Sequence, residues 1–177
     1  LEILYPGNAE DEETEYYLDV WADEDEESLG WIFGTNWFED QAYGQVFENS
    51  TLMEIHGAIY WIGSRNGDTG DVVFTVWDYS DGSVGDILGS KTIAMEDITP
   101  SLDLQDALLV EFDEPIEVTA DFLIGVDISD LGEWEDEVYD LGNVFSYPGT
   151  GNPLALTQEA DGSWVDVLGF GLDVDIA

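Results

Sequence analysis

The side chains of this sequence offer little for catalysis, because the residue types that most reaction mechanisms need are rare or absent. His56 is the only histidine among 177 residues, and there is no cysteine. A serine or threonine nucleophile ordinarily needs an imidazole base, and a zinc site needs several His or Cys ligands. We therefore expect a protein that is not an enzyme, in which His56 is structural or exposed. Glycoside hydrolysis, which needs only two carboxylates, is the remaining enzymatic alternative.

One turn has the composition of a calcium site. Asn66, Asp68 and Asp71 lie in or beside the glycine-containing turn at 65–70. Calcium binds carboxylates, amide oxygens and backbone carbonyls in such turns. The spacing is not that of an EF-hand, so an ordinary solvated turn is the alternative. Asp78 and Asp81 form a weaker second candidate in the next turn.

Four tryptophans beside turns are candidates for a carbohydrate platform. They are Trp31, Trp37, Trp134 and Trp164. Exposed indole and phenol rings stack on sugar rings, while nearby carboxylates accept hydroxyl protons. The alternative for each tryptophan is that it plugs an end of the hydrophobic core.

Acidic charge dominates the composition. The chain has 42 Asp and Glu residues but only Arg65 and Lys91 as cations, for a formal net charge of −40. Such a surface excludes nucleic acid and anionic lipid as partners. Mutual repulsion of this size destabilises the compact state in dilute buffer, so we expect screening salt or bound cations in the working environment. Simple salt adaptation of the surface is the plainest explanation.

The elements that position these residues are predicted to be β-strands. Alternating apolar positions occur at 16–21, 55–62, 72–77, 108–112, 122–128 and 169–176, separated by turns rich in Gly, Asp, Asn and Ser. Only residues 94–97 suggest a short helical turn, and no apolar run approaches the ~18 residues of a membrane span. We expect a single all-β domain over 1–177, an antiparallel two-sheet β-sandwich of jelly-roll type. Residues 1–29 would be its acidic N-terminal strand and loop region, and 72–77 and 122–128 its core strands.

The order of several motifs resembles a known family. They are GWIFGTNWFEDQAYGQVF at 30–47, IHGAIYWIG at 55–63, VVFTVWDYSDGSVGDILGSKTI at 72–93, LLVEFDEPIEVTADFLIGVDI at 108–128 and DGSWVDVLGFGLDVDI at 161–176. Together they resemble the jelly-roll modules of extracellular proteins of Bacteroidetes-type bacteria, which often stand upstream of a type IX secretion sorting domain. Related modules usually have a proline just before the glycine that matches Gly85, where this chain has Val84.

The resemblance implies an extracellular or cell-surface module for adhesion or assembly, whose partner is a protein or polysaccharide surface. Leu1 in place of an initiator methionine suits a processed product or an excised domain. Two alternatives stay open. One is a carbohydrate-binding module that tethers a catalytic partner to a polysaccharide, and the other is a self-associating subunit of an extracellular fibre.

Overall fold

The structure, a computed structural model, describes residues 15–22, 28–131, 140–147, 154–172 and 174–176. These residues form antiparallel strands and short 3₁₀ turns, with no α-helix among them. The strands are β1 (Glu15–Tyr17), β2 (Val20–Ala22), β3 (Ser28–Trp31), β4 (Ala42–Phe47), β5 (Met53–Tyr60), β6 (Ile62–Arg65), β7 (Asp71–Ser80), β8 (Ser83–Ala94), β9 (Leu108–Val118), β10 (Phe122–Asp127), β11 (Leu141–Asn143), β12 (Phe145–Tyr147), β13 (Ala155–Gln158), β14 (Trp164–Asp166) and β15 (Asp175–Ile176). The 3₁₀ turns are Met95–Asp97, Leu104–Asp106, Ser129–Leu131 and Val167–Phe170.

The largest sheet has six antiparallel strands in the order β14-β13-β4-β10-β7-β8. Phe74 of β7 lies opposite Val126 of β10 in the register of the two central strands. Because side chains alternate between the faces of a strand, these two residues enter the same face of the sheet. Both are fully buried. The core strands expected at 72–77 and 122–128 are thus neighbours at the centre of the sheet.

Smaller antiparallel sheets, β1-β12-β15, β6-β11 and β5-β9, form the opposite layer. Their buried side chains meet those of the six-stranded sheet in one core, which includes Tyr43, Phe74 and Val126 from the large sheet and Tyr60, Ile62, Val110, Leu141 and Phe145 from the small ones. Burying a side chain of this kind contributes about 1.5–3 kcal/mol relative to its exposure. The predicted all-β antiparallel sandwich is confirmed.

A second apolar cluster covers part of the outer face of the six-stranded sheet. It contains Ala42, Val46, Trp77, Leu123 and Leu156, with Trp164 packed against it. The rings of Trp77 and Trp164 meet edge to face, with centroids 5.4 Å apart. Because this sheet packs apolar side chains on both faces, its central strands have almost continuous hydrophobic sequences.

Three predicted strands differ from the structure. The segment 16–21 is divided between β1 and β2, and 55–62 is divided between β5 and β6, which pair with different strands. In each case the chain leaves one small sheet and joins another, so one alternating run supplies two strands. The prediction of a single strand over 169–176 is wrong, because a 3₁₀ turn occupies 167–170 and, among the described residues of this segment, only β15 is a strand. The helical turn expected at 94–97 is confirmed as Met95–Asp97.

The turn chemistry of the long β7–β8 hairpin follows directly from its sequence. Ser80 lies opposite Ser83, so only Asp81 and Gly82 form the turn. Both have positive φ, 52° and 77°. An Asp-Gly pair accommodates the left-handed conformations of this tight turn at little cost.

Beyond that hairpin, β8 is an edge of the six-stranded sheet, and it pairs only with β7 within the parts of the chain described. It exposes Ile87 and Leu88, at 59% and 41%. No helix in the described segments is long and apolar enough to cross a membrane.

Candidate functional site

A loop between β3 and β4 presents aromatic side chains at one end of the sandwich, and Asn36 organises it. The buried Asn36 side chain accepts a hydrogen bond from the backbone N–H of Phe38 at 3.0 Å, and its amide donates to the carboxylate of Asp40 at 2.9 Å. Glu39 between them has a φ of 57°. The loop therefore has a defined conformation, which directs Trp37 and Phe38 outward.

Two exposed rings lie against Trp21 of β2, and the exposed Trp37 precedes one of them, Phe38, in the chain. Phe38 and Phe170 each meet Trp21 edge to face, with centroid distances of 5.9 Å and 6.2 Å. Trp37, Phe38 and Phe170 are 59%, 49% and 56% exposed. We call these four residues, Trp21, Trp37, Phe38 and Phe170, the aromatic patch. Large apolar side chains that lie together on a protein surface are typical of a binding site rather than of ordinary surface.

Phe170 is positioned by the 3₁₀ turn Val167–Phe170. The carboxylate of Asp166 accepts a hydrogen bond from the backbone N–H of Leu168 at 2.8 Å and so caps the start of the turn. Gly171 ends it in the left-handed conformation, with a φ of 86°. Both ends of the turn are thus held, which keeps Phe170 beside Trp21.

Asp40, two residues after Phe38 in the same loop, has a carboxyl group whose pKa differs from its ordinary value. Partial burial raises its pKa, and the negative charge of Glu159 adds to the rise. Hydrogen bonding with Asn36 and Thr157 opposes it. The Thr157 hydroxyl has a single proton and also lies 3.2 Å from the carbonyl oxygen of Ala42, so it can donate to only one of the two acceptors at a time. Asp40 thus offers a partly desolvated acceptor in the loop that carries Trp37 and Phe38.

The two segments that supply most of the aromatic patch lack acidic residues, as do several other segments of the chain, among them 55–67, 87–95 and 141–158. Residues 28–38 contain Trp37 and Phe38, and residues 167–172 contain Phe170. Glu39 and Asp40 directly follow the first segment. The exposed rings thus belong to uncharged stretches of sequence, and two acidic residues follow one of these stretches.

The structure brings only one of the predicted carbohydrate-binding tryptophans into this patch. Trp31 is half-buried and packs on Gly142, where an added Cβ would lie 2.7 Å from the indole ring. Trp164 packs on Trp77 in the outer cluster. These two tryptophans fill space in the fold, whereas Trp37 faces outward. Trp134 lies outside the described residues.

The residues predicted to bind calcium lie at the surface of the protein. Asn66, Asp68 and Asp71 are all exposed. The Asp68 carboxylate pairs with the guanidinium of Arg65, with 2.7 Å between Oδ1 and Nη1. Among the residues the structure describes, no three His, Asp or Glu side chains group as metal ligands. The calcium site stays a prediction, and as arranged here the turn lacks a ready carboxylate cage.

His56 has no catalytic surroundings. It is exposed on β5, where its Nε2 lies 3.6 Å from a carboxylate oxygen of Glu54. No hydroxyl group of the described chain forms a hydrogen bond with it. This placement is that of a surface side chain.

Sequence reasoning missed Trp21, Phe38, Asp40 and Phe170. Trp21 and Phe170 are far apart along the chain, and nothing in their local patterns indicates that they touch. The absence of acidic residues from 28–38 and 167–172 was no usable signal, because other segments such as 55–67 and 141–158 lack them too.

Comparison of the chain with protein-family models gave no match, and comparison with curated proteins and with solved structures gave none either. The chemistry of the aromatic patch is therefore the basis for assigning a function.

Proposed function

We propose that this protein is a non-enzymatic extracellular or cell-surface adhesion module that binds a polysaccharide through the aromatic patch. The observation that carries the proposal is the exposure of Phe38 and Phe170 against Trp21, with the exposed Trp37 next to Phe38 in the chain. Rings kept at the surface by a fixed loop and a capped turn are prepared for a ligand before it arrives, which reduces the entropy cost of binding.

Sugar rings suit this surface chemically. A pyranose has an apolar face of C–H groups, which stacks on aromatic rings, and a rim of hydroxyl groups, which need hydrogen-bond partners. The Asp40 carboxylate, oriented by Asn36 in the loop that carries Trp37 and Phe38, supplies an acceptor for a hydroxyl proton. An aliphatic protein surface has no hydroxyl groups to donate to the partly buried carboxylate and does not need flat ring faces to pack against.

Binding without catalysis is supported by the surroundings of the titratable groups. In the part of the chain that the structure describes, no hydroxyl group forms a hydrogen bond with His56, whose neighbour is the Glu54 carboxylate. The Asp40 carboxylate accepts a hydrogen bond from the amide of Asn36. The motif resemblance to secreted jelly-roll modules supports an extracellular location. The aromatic patch would contact the polysaccharide in the same way whether the module tethers a cell or a catalytic partner.

The test is a glycan array followed by calorimetry on the glycans that bind. We expect Trp37→Ala to weaken binding at least tenfold, about 1.4 kcal/mol, because it removes an exposed stacking surface. Leu102→Ala is the matched control, since Leu102 is an exposed apolar side chain outside the aromatic patch. It should bind as the unmodified protein does. Absence of glycan binding, or equal affinity in the Trp37→Ala variant, would refute the proposal.

A further inference from the structure

We infer that the polysaccharide bound at the aromatic patch is uncharged, made of neutral sugars without carboxylate, sulfate or free amino groups. This inference rests on the proposed function and adds the class of ligand. It follows from the charges on and around the patch, taken with the rarity of cations in the whole chain.

Anionic polysaccharides are opposed by the charge of the protein and have no cation to bind. Glu39 and Asp40 directly follow Phe38 in the chain, and Glu159 is close enough to Asp40 to raise the pKa of its carboxyl group. The chain has two basic side chains, and both are already paired: Arg65 with Asp68 and Lys91 with Asp113. A uronate or sulfate group at the patch would therefore meet like charge without a compensating ion pair.

A polysaccharide with free amino groups gains little from the same carboxylates. Glu39 is exposed, and an ion pair in water contributes about 0–1 kcal/mol, which salt reduces further. Asp40 is partly buried and already accepts a hydrogen bond from Asn36, so an ammonium group would have to give up hydration to reach it. A hydroxyl group makes the same hydrogen bond at a smaller desolvation cost.

The stacking surface itself is also neutral. The segments 28–38 and 167–172, which carry Trp37, Phe38 and Phe170, contain neither acidic nor basic residues. A surface of rings without charge matches the C–H face of a neutral sugar. Affinity that depends on stacking and on hydrogen bonds to hydroxyl groups should hardly respond to ionic strength, although the protein carries a net charge of −40.

The experiment compares three sets of hexasaccharides: neutral ones (β-glucan, xylan, mannan and galactan), a glucosamine hexamer and a galacturonate hexamer. Affinity is measured by calorimetry at about 0.15 M and about 2 M NaCl, concentrations at which the screening of exposed charges differs strongly. We expect at least one neutral hexamer to bind with a Kd that changes less than twofold between the two salt concentrations. Trp37→Ala should abolish this binding and Asp40→Asn should weaken it severalfold, while Glu111→Gln on β9 serves as a control for loss of one exposed negative charge.

Binding of only the glucosamine or galacturonate hexamer, dependent on Trp37, would overturn the inference and leave the proposed function intact. Binding of the glucosamine hexamer can also reflect general attraction to an acidic protein. In that case it would disappear at high salt and would not change in the Trp37→Ala variant. If no neutral hexamer binds as well, this result would overturn the inference. If no hexamer binds in a Trp37-dependent manner, the proposed function and this inference both fail.

Discussion

Replacing Gly125 with alanine tests how closely the central strands of the six-stranded sheet approach one another. Gly125 of β10 lies opposite Gly44 of β4. A Cβ at Gly125 would lie 2.6 Å from the Cα of Gly44 and would overlap the carbonyl oxygen of Tyr43. Both are backbone atoms, so no side chain can rotate away, and β4 and β10 would have to separate.

We expect Gly125→Ala to lower the free energy of unfolding by about 3–5 kcal/mol. Forcing extra volume into a packed region costs about 1–3 kcal/mol, and each backbone hydrogen bond lost between β4 and β10 costs about 1 kcal/mol more. Such a loss is a large part of a total stability of about 5–15 kcal/mol.

The assay is urea unfolding at a fixed high salt concentration, so that charge repulsion is the same in every sample. Gly169→Ala is the control, because a Cβ there meets nothing within 4 Å and its φ is not in the left-handed region. The control should differ from the unmodified protein by less than about 1 kcal/mol. If Gly125→Ala were destabilised no more than Gly169→Ala, the close approach of β4 and β10 would be refuted.

Three further outcomes are expected. Stability of the unmodified protein should rise between about 0.01 M and 1 M NaCl, as the Debye length falls from about 30 Å to about 3 Å, and a urea midpoint independent of salt would contradict this. Because burial raises the pKa of Asp40 above its usual 3.8, the folded state holds that proton more tightly than the unfolded state. The contribution of Asp40 to stability is therefore most favourable at low pH and declines as pH rises through the raised pKa. Asp40→Asn should gain stability relative to the unmodified protein from about pH 4 to about pH 7, and parallel pH profiles of the two would refute this assignment. If Asn66, Asp68 and Asp71 bind calcium, millimolar Ca²⁺ should raise the Tm more than Mg²⁺ at equal ionic strength, and replacing both Asp68 and Asp71 with Asn should abolish the difference. Equal effects of the two ions would dismiss the site.

Period-two alternation was sufficient to locate the strands that form the middle of the sandwich. The segment 72–77 lies inside β7, and all but the last residue of 122–128 forms β10, because each has apolar side chains on a buried face and strong β-propensity. The Asp81-Gly82 turn was equally readable, since its backbone conformation requires these residue types. In these places the local preference of the sequence agrees with the tertiary structure.

Sequence patterns failed where the tertiary structure divides or overrides a local run. The run at 55–62 alternates throughout, yet Tyr60 pairs with β9 and Ile62 pairs with β11. Only the packing of whole sheets determines that change of partner. The candidate site has the same limitation, because Trp37 was visible beside a turn, whereas the contacts of Phe38 and Phe170 with Trp21 join distant parts of the chain.

The β8 edge has a consequence for the behaviour of the protein in concentrated solution. Residues 87–95 contain no acidic side chain and include Lys91, so this exposed backbone edge has little of the negative charge found elsewhere on the chain. Unpaired strand edges readily join edges of other molecules, and charge is one of the protections against this. The salt that relieves repulsion within one molecule also weakens repulsion between molecules. The repulsion that is left is weakest at this sparsely charged edge. Light scattering should therefore show the second virial coefficient falling with added salt, and a negative charge introduced by Ser90→Glu should preserve solubility under the conditions that favour folding most.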